Sequence, residues 1–496
     1  MKKNVFLFLI FICIPFFFKG CSKGLEKNTL RVGIHTFPAS LNPVYVTDET
    51  SQAVVNKIFH SLFYYDSRGT LKNGLVSRCH LKNKGKEIII ELKENIFFSN
   101  GCEMTADDLV HTINLLKDRR FKYPYAANIS FIKEVKRIDK TGCTLILNKK
   151  TAVWKNYLTF HILNAQELKN VKPEDFRHMR LSGCGYYKIK EIKEPQRIVL
   201  ELKTPAENPS LYSFIEYQVI KNTGSAPLKL LNDEIDICEL QPETVAAYRN
   251  IEKWQKKFTI SNYTKFGYTY LVFNLKSSAV NRDTRKFFYN VLTCGDFIDK
   301  FLAGRGEKVK TPFLLLNRKI DAAAFKTAPP KELTRLKVLT NSESKLRKDF
   351  VLFLKKELKP YNIHLEPLFL EYHTFLHYLK NSRFDIAVSA FLVEIDYDMK
   401  DIFYGGAAFN YATLNNPHMN ALLDQGLTET DIEKREDIYR AAHKIWLTEL
   451  PLVPLFNLYY YIGISRNIPV PPEVYELVGS TGDFLFNIED WIRSVD

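Results

Sequence analysis

His373 and His377 stand one helical turn apart in "HTFLH", with Glu371 two residues earlier. Two imidazoles on one helix face beside a carboxylate can hold a divalent metal. Phe375 and Leu376 share the stretch and no HExxH is present, so an amphipathic surface helix is the plainer reading. Ser342 and Lys345 in "SESK" match the SxxK pattern in which a lysine partners a serine nucleophile, but no SDN or KTG follows. "GCGYYK", from Gly183, opens an expected strand rather than a helix and is no dinucleotide loop. A GxSxG elbow and a P-loop are also missing. Cys79, Cys102, Cys143, Cys184, Cys238 and Cys294 are widely spaced without a CxxC, which argues against zinc and leaves disulfide pairing open. The residues therefore predict no catalytic centre, no metal site and no cofactor.

The N-terminus carries a different kind of chemistry. Lys2 and Lys3 precede an unbroken apolar run from Val5 to Phe18. That run is shorter than the roughly 20 residues a membrane-spanning helix needs, and it suits the core of a secretory signal. Gly20-Cys21 resembles the end of a bacterial lipobox, with Phe18 where Leu is usual and Lys19 where a small residue is usual. Cys21 is thus the expected lipid attachment site, with residues 1–20 removed and 21–28 a linker. A plain signal peptide or an uncleaved anchor are the alternatives. Acyl chains on one cysteine would hold firmly, since two chains already give a stable anchor.

The remaining chain exceeds what one hydrophobic core holds, so two or three lobes are expected. Apolar content of 46% and charged content of 25% are those of a soluble globular protein. Formal charge is +14, of which Lys2, Lys3 and Lys19 leave with the leader. The other cations are scattered, which reads as solvated surface and not as a nucleic-acid face.

The elements that must position any site alternate in type. "LRVGIHT" reads as a strand and "ETSQAVVNKIFHSLF" as a helix. Thr105 and Asp108 form a capping-box pattern before the helical "ADDLVHTINLL". "CGYYKIKEI" and "RIVLELK" read as paired strands. Beyond residue 330, "RLKVLTN", "KLRKDFVLFLKKELKPY", "IHLEPLFL", "YHTFLHYLKN" and "FDIAVSAFL" form a βαβαβ run, the pattern of a sheet covered by helices.

Several stretches occur in a familiar order. "LRVGIHTFPASLNPV" ends in Asn42-Pro43, and "IFHSLFYYDSRGTLKNGLVSRCHL" holds Gly69, with Asn73 and Cys79 where Pro and Trp are usual. "IIIELKENIFFSNGCEMTADDLVHTINLL" keeps Leu92, Phe98, Gly101, Thr105, Ala106, Asp108 and Val110. "GCGYYKIKE", "YLVFNLKSSAVNRDTRKFFYNVL" (Asn274, Asp283, Arg285) and "KREDIYRAAHKIWLTELPLVPLF" follow. From about residue 29 to about 490 the chain resembles the family 5 extracellular solute-binding proteins, the dipeptide-, oligopeptide- and nickel-binding lipoproteins of ABC importers, and most of all an oligopeptide binder.

The resemblance implies an α/β periplasmic-binding-protein clamshell, class II-like and of the large three-domain kind, with two lobes around a ligand cleft. It implies lobe I at 29–58, 181–270 and 463–496, an additional domain at 59–180 and lobe II at 271–462. It implies a monomer outside the cytoplasm that captures oligopeptides and passes them to permease and ATPase subunits encoded elsewhere. Relatives of the same fold bind a nickel chelate, haem or oligosaccharide, and a surface lipoprotein of non-transport role is a further alternative. Oligopeptide binders hold the ligand as an extra strand, with an aspartate on its α-ammonium. "EIDYDMKDIFY" supplies Asp396 and Tyr397 at that place, with Lys400 where Pro is usual and Glu394 two residues before the aspartate. Leu392 precedes them, and Tyr268, Tyr270 and Asn274 are the further candidates near the hinge.

Overall fold

A computed structural model describes residues 28–66, 70–169, 171–204, 212–292, 294–317, 319–321, 323–330, 332–392, 396–468 and 478–479. Cys21, the leader and Glu394 lie outside the described residues.

The backbone of the fold is one large twisted sheet. Its main path joins two halves through the strand Leu452–Ser465. On one side, this strand pairs with Gly267–Phe273, and that strand with Ile386–Leu392. The βαβαβ run is realised there. Thr334–Asn341 lies parallel to both Ile363–Leu370 and Ile386–Leu392, with helices Lys345–Leu358 and Tyr372–Lys380 as the crossovers. On the other side, Leu452–Ser465 pairs with Ile237–Leu240, then Thr29–Ile34, Phe214–Val219 and the antiparallel pair Arg197–Leu202 and Tyr187–Lys193. A separate four-stranded sheet, containing Glu87–Leu92 and Gly142–Leu147, packs on this second half.

The apolar side chains divide accordingly. One buried cluster joins Leu30, Val54, Ile88, Leu145 and Ile462; two others centre on Phe313 with Trp446 and on Phe297 with Phe350. The chain crosses between halves at Lys265 to Gly267, where Phe258–Lys265 hands over to Gly267–Phe273. Asn457 of the long strand fastens this crossing by donating to the Lys265 carbonyl at 2.7 Å.

Local rules explain most element ends. Thr105 caps Ala106–Lys117, and Asp108 reaches back to the Thr105 N–H at 2.7 Å, closing the expected capping box. The helix expected over residues 49–63 stops at Ile58. Periodicity favours continuation, but Gly185 donates its N–H to the Ile58 carbonyl at 2.7 Å, in the place of the next helical turn. A Cβ at Gly185 would overlap the Lys57 and Ile58 backbone, so only glycine permits the approach. Among the described residues no helix is long and apolar enough to cross a membrane. The six cysteines from Cys79 to Cys294 are free thiols.

Candidate functional site

A pocket of about 510 Å³ opens between the halves, within the roughly 300–1,000 Å³ of ligand pockets. Three elements build its larger wall. Helix Tyr372–Lys380 presents Tyr372, Phe375, Leu376 and Lys380, the i, i+3, i+4, i+8 stripe of one helix face. Strand Ile386–Leu392 contributes Ser389, Ala390, Phe391 and Leu392, and the following loop and short helix Lys400–Phe403 contribute Asp396, Asp398, Met399, Asp401 and Ile402. Val153, Asn156 and Tyr157 face them from the other half.

The strand carries the first informative feature. Ile386–Leu392 pairs with Gly267–Phe273 along its full length, from Phe273 opposite Ile386 to Gly267 opposite Leu392. On its other edge, pairing with Thr334–Asn341 covers only Ile386 and Ala387, and the Thr340 hydroxyl donates to the Val388 carbonyl at 2.9 Å. Among the described residues, the four that line the pocket therefore have a strand on one edge only. Such an edge offers N–H and C=O groups to an extended chain. Gly267 sets the close spacing here, since a Cβ would overlap the Phe391 carbonyl oxygen.

Charge is the second feature. Arg347 lies in the first turn of Lys345–Leu358, a helix capped by the Ser344 hydroxyl. Its Nε and Nη2 both donate to Asn341 Oδ1, at 2.9 and 2.5 Å. Among the described residues it has no carboxylate within ion-pair distance, although burial lowers its pKa by penalising the charge. A cation half-withdrawn from water without a counter-ion is costly, and an anionic ligand would relieve it. Lys380 adds a second, exposed cation at the far end of its helix.

Asp396, in contrast, is already paired. Arg435 grips it with Nη1 to Oδ2 at 2.8 Å and Nη2 to Oδ1 at 2.5 Å, both side chains nearly buried at 10% and 12% exposure. The Asp398 N–H also donates to Asp396 Oδ1 at 2.8 Å. Burial by itself would lower the Arg435 pKa, yet hydrogen bonding to Asp396 and its charge raise it on balance. The remaining candidates divide. Leu392 and Tyr270 line the pocket. Tyr268 is buried behind it, its hydroxyl donating to the Pro312 carbonyl and its ring 4.7 Å from Phe391. Tyr397 points away, donating to Glu436 at 2.8 Å and stacking on Tyr439. Asn274 is buried and ties the Ser382 and Phe384 carbonyls.

Arg347, Lys380, Tyr372 and Phe375 were not among the sequence candidates. Only their helical stripe and cap were readable. His373 and His377 are exposed and off the pocket, and among the described residues no group of three potential ligands could hold a metal. "SESK" is a helix start, with Ser344 as the cap and Lys345 paired to Asp349 at 2.5 Å.

Asp398 is a third acid with its own behaviour. Burial pushes its carboxyl from 3.8 up to about 6, against the Lys400 N–H that favours the charge; Asp396 and Asp401 raise it further and Arg435 lowers it. Its folded pKa exceeds the unfolded one, so the folded state holds an extra proton between these values and stability falls as pH rises through that window. Two units correspond to about 3 kcal/mol. Asp398→Asn is therefore expected to stabilise the protein at pH 7.5 and to change little at pH 4, measured by urea unfolding. An equal shift at both pH values would remove this account.

The model of the family described as "Bacterial extracellular solute-binding proteins, family 5 Middle" matches residues 70–313. Over that span the chain matches the family 5 extracellular solute-binding proteins. This chain is 22% identical to the oligopeptide-binding protein AppA of Bacillus subtilis, over 95% of its own length and 93% of that protein's. The solved structure of that AppA with a nonapeptide aligns with a TM-score of 0.69, at 20% identity, covering 93% of this chain and 98% of the other. NikZ of Campylobacter jejuni in complex with Ni(L-His) aligns with a TM-score of 0.72, at 17% identity, covering 94% and 100%. These likenesses show the binding-protein clamshell. Family members are substrate-binding proteins of transport systems and work outside the cytoplasm.

Proposed function

We propose that the protein captures oligopeptides in this cleft and delivers them to an ABC permease while held at the membrane by lipid on Cys21. The observation that carries the reading is the open edge at Ser389–Leu392, set in a pocket that also holds Arg347, which among the described residues has no ion-pair partner. A peptide has what these groups lack: a backbone to complete the edge and a carboxylate for the arginine. Asp396, Asp398 and Asp401 supply the acidic side for its ammonium. Tyr270, Tyr372, Phe375, Phe391 and Phe409 give apolar walls for side chains. AppA, bound to a nonapeptide in its solved structure, supports the same class of ligand.

Mass spectrometry of ligands released from natively purified protein tests the reading. Peptides with free termini are expected. A nickel chelate, haem, a sugar or no ligand would overturn it.

The anchor is tested separately. Cys21→Ala is expected to abolish acyl labelling and move the protein into the soluble fraction. An unlabelled wild type whose mature N-terminus lies elsewhere would refute the tether and leave the cleft reading standing.

A further inference from the structure

Helix Pro417–Thr428 ends where the two halves meet. The last carbonyls of a helix lack intrahelical partners and must find others. Glu429 satisfies Gln425 at 2.9 Å. The next two carbonyls leave the helix in different directions. Gly426 accepts from Arg435 Nε at 2.7 Å. Leu427 accepts from the backbone N–H of Ala152 at 2.6 Å, across the boundary between halves. Ala152 belongs to the segment whose Trp154 and Leu158 are buried in the first core, whereas Leu423 of the helix is buried in the second.

Arg435 is thus shared. Its two terminal nitrogens hold Asp396 in the pocket wall, and its Nε holds the carbonyl next to the one that touches the opposite half. A planar fork with fixed donor directions cannot follow one partner without turning on the other. The packing gives little freedom, because a Cβ at Gly426 would overlap the Tyr439 ring, and Tyr439 stacks on Tyr397 beside Asp396.

We propose that Arg435 is a positioning residue that couples the cleft loop to the contact between lobes, by fixing Asp396 and the Gly426–Leu427 helix end as one unit against Ala152. A ligand that shifts Asp396 then shifts Leu427, and closure at Ala152 reports on the cleft. The ligand-facing half of this inference rests on the peptide reading above; the link from Arg435 to Ala152 does not.

Amide hydrogen exchange on the mature full-length protein tests both halves. Without added ligand, Arg435→Lys keeps the charge but loses the fork, and Gly426→Ala keeps the arginine but displaces the helix end. Both variants are expected to speed exchange at the Ala152 amide by roughly tenfold, with amides of helices Ala106–Lys117 and Lys345–Leu358 unchanged. Wild-type exchange at Ala152, or a uniform acceleration everywhere, would overturn the link. If Arg435→Lys fails to fold, Gly426→Ala decides the matter alone. With a saturating tryptic casein digest, the wild type is expected to slow exchange at Ala152, while Arg435→Lys binds peptide without that slowing. Slowing in the variant equal to the wild type would overturn the coupling. Absence of any peptide binding by the wild type would instead count against the peptide reading, and the ligand-free comparison would still decide the role of Arg435.

Discussion

Asp396→Asn is expected to cost about 3–5 kcal/mol of folding stability, the usual penalty for leaving one member of a buried ion pair uncompensated. The reason is Arg435. Its guanidinium is nearly buried and accepts no substitute for the two short bonds to Asp396. An asparagine keeps the shape and removes the charge. Replacing both residues with apolar ones of similar volume, Asp396→Leu with Arg435→Met, is expected to restore most of the loss, because no charge is then stranded. Urea unfolding of the two single variants and the double variant checks this. Near-additive losses would mean that the pair is not a unit. The same pairing changes how the ammonium role must be probed. Removing Asp396 perturbs the fold, so the informative change lies on the ligand. An N-acetylated peptide should bind less well by ~2–5 kcal/mol if the acidic loop receives its amino group. Unchanged affinity would leave the aspartate a purely structural residue.

Arg347→Met should leave the fold nearly intact and strongly weaken peptide capture. The substitution strands no carboxylate, because Arg347 bonds only the neutral Asn341 side chain among the described residues. If the arginine receives the peptide carboxylate, affinity should fall by roughly 2–5 kcal/mol, or on the order of 30-fold to several thousandfold. Amidating the peptide C-terminus removes the same interaction from the other side. The two changes should then be strongly non-additive in titration calorimetry. Additive losses, or full affinity for the amidated peptide, would show that the arginine serves another group.

The fold was legible wherever local rules and tertiary packing agree. The capping box at Thr105 and Asp108, the hairpin of Tyr187–Lys193 with Arg197–Leu202 and the parallel βαβαβ run all appear as expected. The family resemblance supplied the clamshell that periodicity alone could not. Failures came where a distant residue decides the outcome. The helix from Glu49 ends early because Gly185, far along the chain, takes the Ile58 carbonyl. The site divides in the same way. The loop motif led to Asp396, and the structure sets it in the pocket wall, but no spacing rule announces that Arg435 already holds it. Arg347 was invisible for the opposite reason. An arginine in the first turn of an amphipathic helix reads as surface charge until three dimensions show that, among the described residues, no carboxylate lies within ion-pair distance of it.

The strand Leu452–Ser465 also has a bearing on how the chain reaches its folded form. Among the described residues it is the one strand that joins the Gly267–Phe273 side of the sheet to the Ile237–Leu240 side. It is also made late, after more than 450 residues have emerged. Until it arrives, Ile237–Leu240 and Gly267–Phe273 each keep a row of unpaired backbone groups, an invitation to pair with another molecule. The joining of the two halves therefore waits for this late strand, and its long-range pairings make that step slow. A chain cut short before residue 452 would leave two half-sheets with sticky rims. Late completion of the sheet keeps the chain unlocked for longer, and an unlocked chain is the kind that can still be threaded through a narrow pore.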